Sequence, residues 1–306
     1  MRLCVVVPTR NRPRELAALL TNLSAQAHRP AKIVVVDGSD DCLAAEIADI
    51  VAAAGPSCRY LRHWPPSAAA QRNAGIDAVI GEADLVALID DDVTLDPEAL
   101  DVVCRKAAVL DPAIIGFGLN PLDVDAQIGH GSWKTSWLTK RLGLYSDEAA
   151  AVSPSGWHTR ILHVAEETEA RWLTSCAVVW RAEAISDLRF DEYFEAYSYL
   201  EDLDFSLQAC RRGRFVILPD ATYLHVPAKG GRKSRFWFGR IEVRNRHYIV
   251  CKHGLSRWRF WLGTAIRAAM TGAETVSGKR EEFDRLVGNV AEIAAVVRRL
   301  GGAPSR

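Results

Sequence analysis

The sequence predicts an α/β fold, a mostly parallel sheet flanked by helices and followed by a helical C-terminal extension. Three observations carry that expectation. Short β-branched runs alternate with helical patterns through the first hundred residues. Polar clusters fall directly after these runs rather than inside them. From about residue 235 the pattern turns helical and stays so.

The elements follow in order. Leu3 to Val7 reads as a buried strand, and Pro13 opens a helix with Leu16, Leu19, Leu20 and Leu23 on one face. Ile33 to Val36 is the second strand, and Leu43, Ile47, Ile50, Val51 and Ala54 mark the second helix face. Leu85 to Ile89 is a further strand. Asp96-Pro97 then opens a helix, with the aspartate as N-cap and the proline at the first helical position. Residues 118 to 165, with scattered glycine, serine and tryptophan (Trp133, Trp137, Trp157), read either as a long excursion or as a helical insert. A helix starting near Tyr199 presents Leu200, Leu203, Leu207 and Cys210 as its apolar face. The last helix is amphipathic through Phe283, Leu286, Val287, Val290, Ile293, Ala294, Val297 and Leu300.

Composition narrows the function classes. The chain has 306 residues, 49% hydrophobic and 25% charged, which is ordinary for a globular protein. Lysine plus arginine equals aspartate plus glutamate at 38 each, so no broad platform for nucleic acid is expected. Function must come from a local site. Seven cysteines stand at least 16 residues apart without a C-x-x-C pair, which argues against structural zinc and suits a reducing compartment. The N-terminus lacks the pattern of a signal peptide, and no run of about 18 apolar residues occurs. The expected setting is cytoplasmic.

In open parallel sheets, ligands bind beyond the carboxyl ends of the strands. Three clusters stand there: Pro8-Thr9-Arg10-Asn11-Arg12, Asp37-Gly38-Ser39-Asp40-Asp41 and Asp90-Asp91-Asp92. Three consecutive carboxylates repel one another and call for a neutralising partner, and hard divalent cations shared with substrate phosphates fit that need. A solvated turn explains Asp96 as a cap but leaves the triplet unaccounted for. Asp37 suits a ribose or base edge, although aspartate before glycine is also ordinary turn chemistry. Arg72, in Gln71-Arg72-Asn73-Ala74-Gly75, suits a phosphate, and a surface helix start is the competing reading. Glu201 and Asp202 fall in a helix's first turn, where the dipole favours negative charge and where a carboxylate can also act as a base. His225 ends a strand-like run and reads either as a metal ligand or as a packed histidine.

This order of motifs resembles the family 2 inverting glycosyltransferases. The residues that carry the resemblance are Val5-Val6-Val7-Pro8-Thr9-Arg10-Asn11, Val36-Asp37-Gly38-Ser39, Asp90-Asp91-Asp92 and Glu201-Asp202-Leu203-Asp204-Phe205. Gln71-Arg72-Asn73-Ala74-Gly75 is similar to the family's A-R-N-x-G element, and Thr174 to Arg181 to its acceptor-side strand. Val243-Arg244-Asn245-Arg246-His247-Tyr248 resembles a C-terminal helix of rhamnosyltransferase-like members. Coverage is roughly residues 1 to 250. The resemblance implies a GT-A (Rossmann-like) catalytic domain over 1–234, its donor half about 1–117 and its acceptor half about 118–234. A helical extension over 235–306 follows. It implies Pro8, Thr9, Arg10, Asp37, Arg72, Asp90 and Asp91 on the nucleotide, and Asp92 and His225 on Mn2+ or Mg2+. Asp202 is the implied catalytic base, with Glu201 orienting a substrate. The Q-x-x-R-W motif of processive synthases is missing, so the resemblance implies transfer of a single sugar.

The resulting expectation is inverting, metal-dependent transfer from a nucleotide-sugar, UDP- or dTDP-linked, to an acceptor hydroxyl on a carbohydrate, lipid-linked or small molecule. Two alternatives stay open: a nucleotidyltransferase, against which the glycine-free loop after the first strand argues, and a non-catalytic nucleotide-sugar-binding scaffold. Trp258-Arg259-Phe260-Trp261-Leu262 mixes aromatic and basic residues, which leaves open peripheral contact with the inner membrane face, packing on the catalytic domain, or packing across a homodimer.

Overall fold

A computed structural model describes residues 1–122, 137–194, 198–226, 234–276 and 281–301. The described residues fall into two compact units. The first comprises residues 1–128 and 160–228, and the second residues 129–159 and 229–306.

The first unit is the α/β fold that the sequence predicts. Its strands are β1 (Leu3–Thr9), β2 (Lys32–Asp37), β3 (Cys58–Arg62), β4 (Leu85–Ile89), β5 (Val93–Leu95), β6 (Ile114–Pro121), β7 (Thr168–Ala170), β8 (Ala177–Arg181) and β9 (Arg214–His225). Its helices are α1 (Pro13–Ser24), α2 (Asp41–Ala53), α3 (Ala68–Asp77), α4 (Ala99–Val109) and α6 (Glu201–Ala209). The strand order is β3-β2-β1-β4-β8-β6-β9-β5, with β7 beside β9. The first four strands in that order run parallel. β8 reverses against both β4 and β6, while β9 runs parallel to β6.

β1, β2 and β4 have no exposed face because helices cover both sides, which is why they read as continuous rather than alternating apolar segments. Leu3, Val5, Val7, Val35, Leu85, Ala87 and Ile89 join one core with Leu16, Leu19, Leu20 and Leu23 of α1. A second packing group lies around Trp180, whose ring meets Phe205 and Phe215 edge-on. Burying each such aromatic contributes roughly 1.5–3 kcal/mol before any entropy is counted.

Three sequence expectations are corrected here. Asp96 does not cap α4: Glu98 stands at the cap, and Asp96 instead accepts from the Glu98 N–H to close the turn before it. In α6 the buried residues are Glu201, Leu203, Asp204, Phe205, Ser206 and Ala209, while Cys210 lies outside and Leu200 precedes the helix. Leu200 and Leu203 are buried as expected, Phe205 joins them in the aromatic group, Leu207 is half-buried and Cys210 is exposed. Of residues 118–165, those described (118–122 and 137–165) fit neither a single loop nor a single helical insert. They complete β6, form the short helix α5 (Trp137–Arg141), and continue irregularly through a bridge between Val152 and His158. Trp133 lies outside the described residues.

The second unit holds α5 with α7 (Arg235–Lys252), α8 (Arg257–Val276) and α9 (Glu281–Gly301). Among the described residues no helix is long and apolar enough to cross a membrane. The seven cysteines are all free thiols.

Candidate active site

Parallel pairing of β2, β1 and β4 places their carboxyl ends on one edge of the sheet. Thr9 and Asp37 are the last paired residues of β1 and β2, and Asp90 follows β4 directly. The polar clusters noted in the sequence therefore meet, and the hydrogen bonds show how.

The loops after β1 and β2 lock together through side chains. The Asn11 N–H donates to Ser39 Oγ at 2.7 Å, and the Asn11 amide donates to Asp40 Oδ2 at 2.8 Å. The Asp40 N–H donates back to Asn11 Oδ1 at 2.8 Å. Asn11 adopts φ 56°, a left-handed conformation that asparagine tolerates better than most residues. Gln71 on α3 ties the same two strands from below, donating to the carbonyls of Thr9 and Val36.

Asp37 is wholly buried. Its Oδ1 accepts from the Ser39 N–H at 2.7 Å and its Oδ2 from the Tyr60 hydroxyl at 2.8 Å, with Arg62 Nη1 at 3.5 Å. Burial, then the bond to Asp37, pushes the Tyr60 hydroxyl up to about 12. Pro8 is buried within the β1–β2 ladder, and Arg10 lies on the surface 3.7 Å from Asp40.

The Asp90–Asp92 triplet divides between two cations. Asp91 accepts from the Thr9 hydroxyl and from Arg12 Nη1, both at 2.7 Å, and Arg12 Nη1 also reaches Asp92 Oδ2 at 3.1 Å. Burial pushes Asp91 up to about 6 despite Arg12 and Thr9. The other oxygen of Asp92 lies 3.1 Å from His225 Nε2. That meeting is built into the sheet, because β5 and β9 pair antiparallel with Val93 opposite His225 and the Val226 N–H donates to the Asp92 carbonyl.

Asp90 turns the other way. Arg72 donates from Nη2 to Asp90 Oδ1 and from Nη1 to Glu201 Oε1, each at 2.8 Å. Burial opposes the charge on Arg72, yet the two carboxylates outweigh it and hold the guanidinium above its ordinary value. The guanidinium also stacks over Phe190 with its carbon 5.6 Å from the ring centroid. Glu201 and Asp202 form the first turn of α6, after Leu200 at φ 75°. Burial raises both carboxyls, and their neighbours Asp202 and Asp90 respectively add to the rise, while Arg72 works against it.

The structure thus brings together Thr9, Asp91, Asp92 and His225 in one cluster, and Arg72, Asp90 and Glu201 in another joined to it through the triplet. Asp202 adjoins the second. Arg72, expected on a phosphate, is 4% exposed and has both ends of its guanidinium taken by protein carboxylates. Arg10 faces Asp40 rather than the triplet. Sequence reasoning missed Arg12, Tyr60 and Arg62. Arg12 stood in the first cluster but carried no distinguishing spacing, whereas Tyr60 and Arg62 sit at i and i+2 on β3, a period that placed both on one face.

The donor chemistry fits a divalent cation. A carboxylate just before β5 and an imidazole at the end of its partner β9 offer two hard-to-borderline ligands, and Arg12 already lies against Asp91 and Asp92 as a cation does. Among the described residues no group of three or more such side chains forms. Two protein ligands suit magnesium or manganese, which keep several positions for water and substrate phosphate.

A search of curated protein sequences finds no match. Solved structures match over most of the chain at low identity. S. aureus TarS 1–349 aligns with a TM-score of 0.57 and 17% identity, covering 98% of this chain and 82% of that one. The longer S. aureus TarS aligns with a TM-score of 0.52 and 17% identity over 88% of this chain, which spans 42% of its length. The mannosyltransferase PcManGT from Pyrobaculum calidifontis, solved with GDP-Man and Mn2+, gives a TM-score of 0.53 and 16% identity, covering 98% and 87%. TarS 1–349 is also known with UDP and with UDP-GlcNAc. These likenesses show a shared GT-A fold. Residues 4–157, half of the chain and including the Asp90–Asp92 triplet, match the family model of Glycosyl transferase family 2, and the chain belongs to that family.

Proposed function

We propose that the protein transfers a single sugar from a nucleotide-sugar, UDP- or dTDP-linked, to an acceptor hydroxyl with inversion, using Mn2+ or Mg2+. The observation that carries this reading is the convergence at one sheet edge of Asp91–Asp92–His225 with Arg72–Asp90–Glu201. Asp202 stands in the turn beside the second group. That TarS binds UDP and UDP-GlcNAc, and PcManGT GDP-Man with Mn2+, supports a nucleotide-sugar as donor. All of these residues lie within 1–234, the part we assign to catalysis, with its donor half near 1–117.

On this reading Pro8, Thr9 and Arg10 line the nucleoside side, and Asp37 acts there by holding Tyr60 and Arg62. Asp92 and His225 would hold the metal, with Asp91 and Arg12 beside Asp92. When bound, the metal offsets charge on the leaving diphosphate. Arg72 is a positioning residue that fixes Asp90 toward the ribose and Glu201 toward the reacting sugar. Asp202 takes the proton of the acceptor hydroxyl as its oxygen forms a bond to the anomeric carbon. The bond from that carbon to the diphosphate oxygen breaks, its electron pair leaves with the nucleoside diphosphate, and the single displacement inverts the centre. The sugar is a hexose or a deoxyhexose, and the similarity of residues 243–248 to rhamnosyltransferase-like members supports the deoxy form.

Calorimetric titration with UDP, dTDP and GDP, each with Mn2+ and then EDTA, tests the reading in wild type and Asp92→Ala. We expect metal-dependent binding of one nucleotide, lost in the variant. Absence of binding under every condition overturns it. Release of pyrophosphate from a nucleoside triphosphate points instead to a nucleotidyltransferase.

A further inference from the structure

The last helix leaves an apolar stripe in solvent. Its apolar stripe does not form the core of the second unit: Phe283, Val287, Val290 and Val297 are 40–55% exposed. The face turned inward is mixed: Glu282, Asn289 and Glu292 are buried against α7, Val296 is buried, and Ile293 packs on the cluster of Val243, Val250 and Phe260. Arg285 donates to both oxygens of Glu242 at 2.8 and 3.1 Å, Arg240 pairs with Glu292 at 2.8 Å, and Asn289 donates to the Gly239 carbonyl at 2.8 Å.

Close backbone approach fixes this rotation. A Cβ on Gly239 would stand 2.2 Å from the Arg285 carbonyl oxygen, and one on Gly288 would stand 2.1 Å from that of Phe236. Only glycine fits either position. The α7–α9 crossing is therefore held by two glycines and a charge network, and the stripe has nowhere to turn but outward.

The stripe has the spacing of a coiled-coil seam rather than of a globular core face. Phe283, Val287, Val290, Ala294 and Val297 follow one another at steps of four, three, four and three, a 3.5-residue repeat. Two features identify what covers it. First, the helix bears Glu282, Asp284 and Glu292 against Arg285, Arg298 and Arg299, so it lacks the basic polar face that an anionic bilayer recruits. Secondly, its ends are complementary. When two copies run antiparallel about the level of Glu292, Val287 faces Val297, Val290 faces Ala294, and exposed Asp284 of each copy flanks exposed Arg298 of the other. A two-fold axis satisfies both ends at once.

We infer that α9 is a homodimerisation helix, pairing antiparallel with α9 of a second copy through the stripe from Phe283 to Val297. The inference rests on the second unit alone and is independent of the catalytic reading.

Sedimentation equilibrium of the full chain tests it, with circular dichroism melts as the control for folding. We expect a mass of twice 33.7 kDa in wild type, the monomer mass in Val290→Glu, and unchanged melts apart from the loss of concentration dependence. Asp284→Arg and Arg298→Asp should each weaken the dimer tenfold or more, and the double variant should restore it. A monomer at about 100 μM, a dimer that survives Val290→Glu, or single reversals that the double reversal does not rescue would overturn the inference. Flotation of a monomeric protein with anionic vesicles would overturn it in favour of a membrane surface.

Discussion

Asp202 enters α6 just after Leu200, a leucine held at φ 75° where L side chains are strained. The kink lets the chain pass from the loop into a helix whose first turn directs Glu201 inward onto Arg72. Asp202 uses Oδ1 in a local bond, accepting from the Leu203 N–H at 2.8 Å. Burial raises its carboxyl above the ordinary ~4 of an aspartate. A general base works only when ionised. Activity should therefore fall as pH drops through this raised value, giving an acid limb in kcat above that of a free aspartate. Asp202→Asn should reduce turnover by about 10²–10⁴. Donor binding, measured by calorimetry, should remain within a few-fold of wild type. Equal loss of binding and turnover would refute the assignment. The Asp90–Asp92 triplet stood out in the sequence because three acidic positions after an apolar strand demand a charge partner, whereas the role of Asp202 came from the family resemblance. Arg12, Tyr60 and Arg62 did not stand out, because an arginine or tyrosine near a strand end is ordinary until its partner is seen.

At the scale of elements, the strands and α1 follow directly from their sequences. Four leucines at helical spacing can bury together only on a helix, and Pro13 at its start removes a donor that would have no partner. Helices α6 and α9 obeyed a different rule. In α6 aromatic packing added Phe205 to the buried Leu200 and Leu203, and in α9 the glycine crossing outweighed the pull of the apolar stripe toward the interior. The α9 case gives a sharp expectation. Gly288→Ala places a methyl 2.1 Å from the Phe236 carbonyl oxygen, backbone that cannot move aside cheaply. The second unit should lose roughly 1–3 kcal/mol, the usual cost of overpacking, despite alanine's better helix propensity. Chemical denaturation monitored by circular dichroism measures this, and a neutral or stabilising effect would show that the crossing is looser than described.

For the whole molecule, the site exists because separate parts of the chain are carried to one sheet edge. Arg12 follows β1, the triplet follows β4, and His225 closes β9, so the cluster spans residues more than 200 positions apart. A guanidinium against Asp91 and Asp92 competes with any second cation for the same oxygens. Mn2+ alone should therefore raise the melting temperature of wild type only slightly, and should raise that of Arg12→Met more, because the variant leaves the carboxylates without that cation. At a metal concentration 100 times the dissociation constant, the stabilisation is about 2.7 kcal/mol. Equal shifts in the two proteins, read by differential scanning calorimetry, would show that Arg12 does not compete.

By itself the sequence determined the elements whose reasons are local: the apolar runs, the leucine face of α1 and the polar clusters that follow the strands. It also determined the order of motifs that marks the family. Only the tertiary structure decided which carboxylate meets which cation, that Arg72 is bound within the protein, and that α9 turns its apolar stripe outward. Those outcomes depend on strand order, antiparallel register and backbone contacts at glycine, which bring together residues that carry no trace of one another in the chain.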